Sequence, residues 1–234
     1  MYSVIGIKRI LAAYGWIATF FLGIILLIER VRLLSALTTS NIFPVLGVFW
    51  GAVGKALMLA AGLLWLLGET PLFAVVCRNR WIRRFVPDLD GKWVGTVNSN
   101  WLLISHRSSV AQSPPDPGVE QRIAPTNVTV TIQARLLSVT MTLEADTNYS
   151  DSETLLVGVT KRPGSGVVEV RYIYQNRTRN PQRSDSASHL GAAILDLEQK
   201  GNEMFLTGPY WTNRNWQNGL NTAGTVTFRR AAEF

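Results

Sequence analysis

Residues 167–176, VVEVRYIYQN, alternate strictly. Val168, Val170, Tyr172, Tyr174 and Asn176 share one face of an extended strand, while Glu169, Arg171 and Gln175 share the other. The same period groups Leu206, Gly208, Tyr210, Thr212 and Arg214 further on, and His189, Gly191, Ala193, Leu195 and Leu197 between them. Each face is apolar at one end and carries Tyr, Asn, Thr, Arg or His towards the other. Phenol rings stack on flat groups, a guanidinium pairs with anions, and amides, hydroxyls and imidazole exchange hydrogen bonds. These residues suit holding a ligand. Each also has a plain structural use, since inward tyrosines fill cores and Arg214 can cap a barrel end. Nothing points to catalysis. The chain has no Gly-rich phosphate loop and no metal-ligand spacing, His106 and His189 stand far apart, and no nucleophile is spaced from a base in a telling way. Neither an enzyme nor a metal or cofactor site is expected.

The elements that position these faces begin near residue 90, where the period changes to two and Thr and Val become frequent. Eight strands are expected: Lys92–Asn98, Val128–Ala134, Leu137–Ala145, Thr154–Thr160, Val167–Asn176, Leu190–Glu198, Glu203–Thr212 and Gly224–Arg230. Turn residues such as KRPGSG, QKGN and QNGLNTAG separate most of them. Residues 99–126, containing SPPDPG, cannot lie inside a sheet and read as a long surface excursion; 177–188 read as a second polar loop. Eight short antiparallel strands suit a closed up-and-down β-barrel, with a β-sandwich as the alternative. Closure is favoured because few lysines guard an edge. In DGKWVGT, Trp93 lies between Gly91 and Gly95 and is expected to plug one end of the barrel.

Ahead of this domain the chain is apolar. Residues 10–28 carry no charge, and at 1.5 Å per residue they span about 28 Å, close to the hydrocarbon core of a bilayer. Residues 42–68 form a second run, interrupted only by Lys55. Lys55 either snorkels to an interface or lines a helix–helix assembly. Gly47 and Gly51 form a GxxxG pair that lets another backbone approach. Residues 1–85 hold nine Lys/Arg against two acidic residues, which accounts for the whole net charge of +7; the remainder is balanced at 14 and 14. The excess charge is therefore a membrane-topology signal, and no direct DNA or RNA binding is expected. Lys8, Arg9, Arg78, Arg80, Arg83 and Arg84 flank the outer ends of the helical pair, against Arg30 and Arg32 between the helices. This bias places both termini and the β domain in the cytoplasm. Trp81 and Phe85, among the arginines of CRNRWIRRF, belong at the headgroups. Two units follow: a two-helix transmembrane anchor over 1–85 and a β-barrel ligand-binding domain over 86–234. Cys77 is the lone cysteine, so no internal disulfide exists.

Two membrane helices precede a domain that opens LDGKWVGTV and continues through VRYIYQNRT, HLGAAILDLE and LTGPYWTNRNWQNGLNTAGTVTFRR. In this order the chain resembles the two-transmembrane β-barrel effectors of bacterial cyclic-oligonucleotide-based anti-phage signalling systems (CBASS), the SMODS-associated 2TM β-strand-rich class. The resemblance implies a bacterial inner-membrane protein whose cytosolic barrel binds a cyclic dinucleotide made by a partner nucleotidyltransferase. Binding would promote homo-oligomerisation, and the helices would then disrupt the membrane and its lipids, causing abortive infection. The positions that match are Trp93, Tyr172, Tyr174, Asn176, His189, Gly191, Gly208, Tyr210, Thr212 and Arg214. Tyr172, Tyr174 and Tyr210 would stack on bases, Arg214 would pair a phosphate, and Asn176 and Thr212 would read base edges. The alternative is a lipocalin-like membrane-anchored barrel for a lipid or other hydrophobic ligand, which a mainly apolar mouth would favour.

Overall fold

Helices α1 (Ile7–Ile28) and α3 (Phe43–Glu69), joined through α2 (Arg30–Leu37), lead the chain. The computed structural model describes residues 6–38, 42–83, 86–101, 104, 125–146, 150–179, 181, 186–201 and 203–231. Most of the expected excursion over 99–126, part of the 177–188 loop, and Arg84 and Phe85 lie outside the described residues. Both long helices are long and apolar enough to cross a membrane. Many of their large side chains, among them Trp16, Phe20, Trp50, Met58 and Trp65, point outward and are exposed. Alanines do the close packing: Ala52, Ala56 and Ala60, four residues apart, are buried, the first two in one cluster with Ile25 of α1. Gly47 and Gly51 face the other way, with open space where a side chain would project. Lys55 reaches Glu29 at the end of α1 and pairs with it.

Two short helices, α4 (Leu72–Cys77) and α5 (Arg80–Arg83), lead into the barrel. Its strands are β1 (Gly91–Ser99), β2 (Pro125–Ala134), β3 (Val139–Ala145), β4 (Ser150–Lys161), β5 (Val168–Thr178), β6 (Ser188–Lys200), β7 (Glu203–Thr212) and β8 (Ala223–Arg230). Each pairs antiparallel with the next, and β8 returns to β1, closing the barrel in simple up-and-down order. Gly95 permits that closure: a Cβ there would sit 1.9 Å from the Thr227 carbonyl oxygen.

One end, the floor, is filled. Trp93 is completely buried, and its Nε1–H donates to the Leu89 carbonyl at 3.0 Å, which satisfies the indole inside an apolar core. Phe228, Leu195, Leu206, Val159 and Val170 pack around it. The floor is completed by residues from outside the barrel: Phe73 and Cys77 of α4, with Leu64 and Leu67 of α3, join the same core. Burial, with Asp88 and Asp90 nearby, pushes the Cys77 thiol up to about 12, so it packs as an inert apolar group. The entering chain is latched by charge. Arg230 donates to the Asp88 carboxylate at 2.9 Å and to the Asp90 carbonyl at 2.7 Å, and Arg135 donates to the Asp90 carboxylate at 3.1 Å.

The third strand starts at Val139, two residues later than the sequence predicts. Arg135–Ser138 form a tight turn, and Leu136 and Leu137 turn away from the sheet towards α3. Their N–H groups donate to the last carbonyls of that helix, at Leu67 and Gly68. A helix end needs such donors. Leu137, read from the sequence as the start of the third strand, thus belongs with Leu136 to the joint between barrel and helix.

Candidate functional site

Among the described residues the mouth of the barrel is open. Inward side chains stack in layers from the floor: Val159, Val170 and Leu195; then Val157, Tyr172 and Ala193; then Thr154, Tyr174 and Gly191; and finally Ser152, Asn176 and His189 at the rim. The first layer is solid core. From Tyr172 outward the layers surround a cavity of about 520 Å³, within the range of small-molecule sites. Room exists because each tyrosine faces small neighbours. Ala193 lies opposite both Tyr172 and Tyr210, and Gly191 lies opposite Tyr174. The Tyr174 ring lies over Gly191, so a Cβ there would come within 2.2 Å of the ring.

All seven ligand-contact residues named from the sequence line this one cavity: Tyr172, Tyr174, Asn176, His189, Tyr210, Thr212 and Arg214. Tyr172 and Tyr174 lie with ring centroids 5.8 Å apart and planes tilted by 44°, presenting two aromatic faces at different angles. Burial pushes the ionisation of Tyr172, Tyr174 and Tyr210 upward, so all three stay neutral phenols that donate and accept hydrogen bonds. Asn176 donates to Ser152 Oγ at 2.9 Å, which orients its amide across β4 and β5. Thr212 is committed elsewhere. Its hydroxyl shares a 2.8 Å bond with Thr222 and accepts the N–H groups of Arg214 and Thr222, each at 3.2 Å. It fixes the β7–β8 turn region and presents Arg214 to the mouth. His189 has a buried Nδ1 with no hydrogen-bond partner among the described residues, and burial lowers its pKa, so the ring is neutral with a polar atom at the cavity wall.

Two contributors escape the sequence reading. Trp101, just past the end of β1, lines the cavity, and the Arg214 guanidinium lies 4.0 Å from its ring centroid. It sits inside the stretch read as a surface excursion, where alternation gives no signal. The opposite wall, on β1–β3, is apolar: Val97, Val128, Val130, Met141 and Leu143. The cavity therefore has an aromatic and polar side, an apolar side, and a cation held against an indole at the rim. Of the remaining candidates, Trp93 lies in the floor, while Lys55, Gly47 and Gly51 lie on α3, away from the cavity.

Comparison with known proteins finds a similarity that falls on this barrel. Residues 118–230, which include β2–β8, match the family model of the Cap15 cyclic dinucleotide receptor domain. CD-NTase-associated protein 15 of Escherichia albertii is 23% identical over 146 residues, covering 61% of this chain and 62% of that protein. Less than two thirds of the relative's length is thus matched. The chain thus joins two helices apolar enough to cross a membrane to a closed eight-stranded barrel that is similar to the Cap15 cyclic dinucleotide receptor domain.

Proposed function

We propose that the barrel mouth binds a cyclic dinucleotide and that the chain is a membrane-anchored CBASS effector, with 1–85 as anchor and 86–234 as receptor. One observation carries the reading most. A cavity of about 520 Å³ lies within the receptor-like barrel and gathers three neutral phenols, an oriented amide and a guanidinium. A cyclic dinucleotide has two flat bases and two phosphates. Tyrosine faces suit the first and Arg214 the second, each stacked base contributing about 1–3 kcal/mol. The apolar β1–β3 wall supports a second reading, a hydrophobic ligand. The polar rim of Ser152, Asn176 and His189 favours the nucleotide.

In this proposal both termini and the barrel face the cytoplasm of a bacterium, at its inner membrane, and a partner nucleotidyltransferase supplies the ligand. Ligand binding promotes self-association, for which the outward face of α3 with Gly47 and Gly51 is open, and the helices then disrupt the membrane. The protein binds and does not catalyse. Producing the full chain in bacteria together with a cyclic-dinucleotide synthase tests this. Entry of a membrane-impermeant dye is expected only when both are present, and is expected to be lost in Tyr174→Ala. Equal dye entry without the synthase would overturn the proposal, as would no entry with synthases covering the known base combinations.

A further inference from the structure

A second cavity, of about 250 Å³, opens at the other end of the barrel, where the chain arrives from α5. Arg83 borders it from the incoming chain, Lys161 from the end of β4 and Gln199 from the end of β6, while Val168, Leu197 and Met204 form its apolar side. Its charge is positive on balance. Asp88 is the nearby carboxylate, and Arg230 holds it at 2.9 Å, leaving Arg83 only a long 3.4 Å contact. Among the described residues Lys161 pairs with no carboxylate.

The position of this cavity is as telling as its chemistry. The β2–β3 turn donates to the carbonyls of Leu67 and Gly68, so the barrel floor begins where the apolar run of α3 ends. A spanning helix ends its apolar run at the headgroups. Trp81, two residues before Arg83, is 81% exposed, as an indole at the interfacial belt would be. The floor cavity therefore lies at phosphate level.

We infer that this cavity holds the phosphate of an anionic phospholipid from the membrane that α1 and α3 cross. Arg83 and Lys161 meet the charge, Gln199 supplies a neutral donor, and the apolar side lies against the glycerol and upper acyl chain. A lipid is favoured over free phosphate because Val168, Leu197 and Met204 give the cavity an apolar side and the site borders the bilayer. The inference is independent of what occupies the mouth.

The test uses the full chain in a neutral detergent. Its thermal midpoint is followed while phosphatidylglycerol, phosphatidylcholine with the same acyl chains, or inorganic phosphate is added. Phosphatidylglycerol is expected to raise the midpoint saturably, and the other two to do little. In R83Q/K161Q the half-saturating phosphatidylglycerol concentration should rise by roughly tenfold or more, the loss expected for charge-assisted hydrogen bonds. Arg177→Gln, which removes one charge near the mouth end, should leave it unchanged. Should the double variant fail to fold, Lys161→Gln alone removes the exposed cation and should weaken the response by several-fold. Equal stabilisation by phosphatidylcholine, or an unshifted half-saturation in the variants, would overturn the inference. An effect of inorganic phosphate matching that of phosphatidylglycerol would make this a free-anion site and overturn the lipid assignment. Cyclic-dinucleotide binding should be the same in the parent and in R83Q/K161Q, and failure of the parent to bind any would leave the floor result standing.

Discussion

The floor of the barrel is packed with Trp93, Phe228, Leu195 and Leu206 and closed by Phe73 and Cys77 from another element, whereas at the mouth Ala193 and Gly191 face the tyrosines and keep the interior empty. Ion pairs belong to the floor, where Asp90 and Asp88 receive arginines that staple the entering chain to β8 and to the β2–β3 turn. Among the described residues each end also buries an unpaired polar atom, Asp88 Oδ1 at the floor and His189 Nδ1 at the mouth. In the proposed function one strand set thus separates two tasks along its length, with stability at the floor and recognition at the mouth. The separation makes sense because a cavity costs stability, which the packed core around Trp93 can supply.

The comparison breaks most sharply if the floor is emptied. Trp93→Ala should cost about 3–5 kcal/mol, measured by denaturant unfolding of the full chain in detergent, since it removes a fully buried indole and its bond to Leu89. Affinity for ligand in the surviving folded fraction should change little. A smaller effect should follow from trimming the anchor. A fragment beginning at Leu72 keeps Phe73 and Cys77 in the core, and one beginning at Val86 loses both. The shorter fragment should be less stable by about 2–4 kcal/mol in the same measurement, and equal stabilities would mean that α4 does not belong to the floor.

At the mouth the effects should fall on binding. Gly191→Ala places a methyl against the Tyr174 ring, which must swing away. Calorimetry should show a loss of about 1–3 kcal/mol in cyclic-dinucleotide affinity, as for loss of one stacked base, with a smaller change in stability. The smallest effect concerns pH. Burial holds the folded pKa of His189 below the unfolded value near 6.5. The unfolded chain therefore takes up the proton first, and stability contributed by the neutral ring is lost as pH falls from about 6.5 through the folded pKa. His189→Gln should flatten unfolding midpoints over that window and leave them unchanged above pH 7.

Much of this arrangement is legible in the sequence, for a reason. Period-two alternation survives wherever one face is buried and the other wet, so all eight strands and all seven mouth residues stand out. Where the period breaks, the reading fails. The β-bulge between Thr154 and Leu156 sets Leu155 and Leu156 both outward and hides the true start of β4 at Ser150. Leu136 and Leu137 continue an apolar run but serve the helix joint. Phe73 and Cys77 read as the tail of the anchor because nothing local tells a lipid-facing apolar residue from one that plugs a distant barrel. The roles of Asp88 and Asp90 are invisible for the same reason, since Arg230 lies 142 residues from the first.

The most direct measurement is isothermal titration of the full chain in detergent with a panel of cyclic dinucleotides, repeated for Arg214→Ala. The account predicts that at least one binds with one dominant class of site, and that Arg214→Ala weakens it by about 1.5–3 kcal/mol, one to two decades in Kd, through loss of a charge-assisted phosphate contact. No heat of binding from any cyclic dinucleotide, or an unchanged Kd in Arg214→Ala and Tyr174→Ala alike, would contradict the assignment of the mouth.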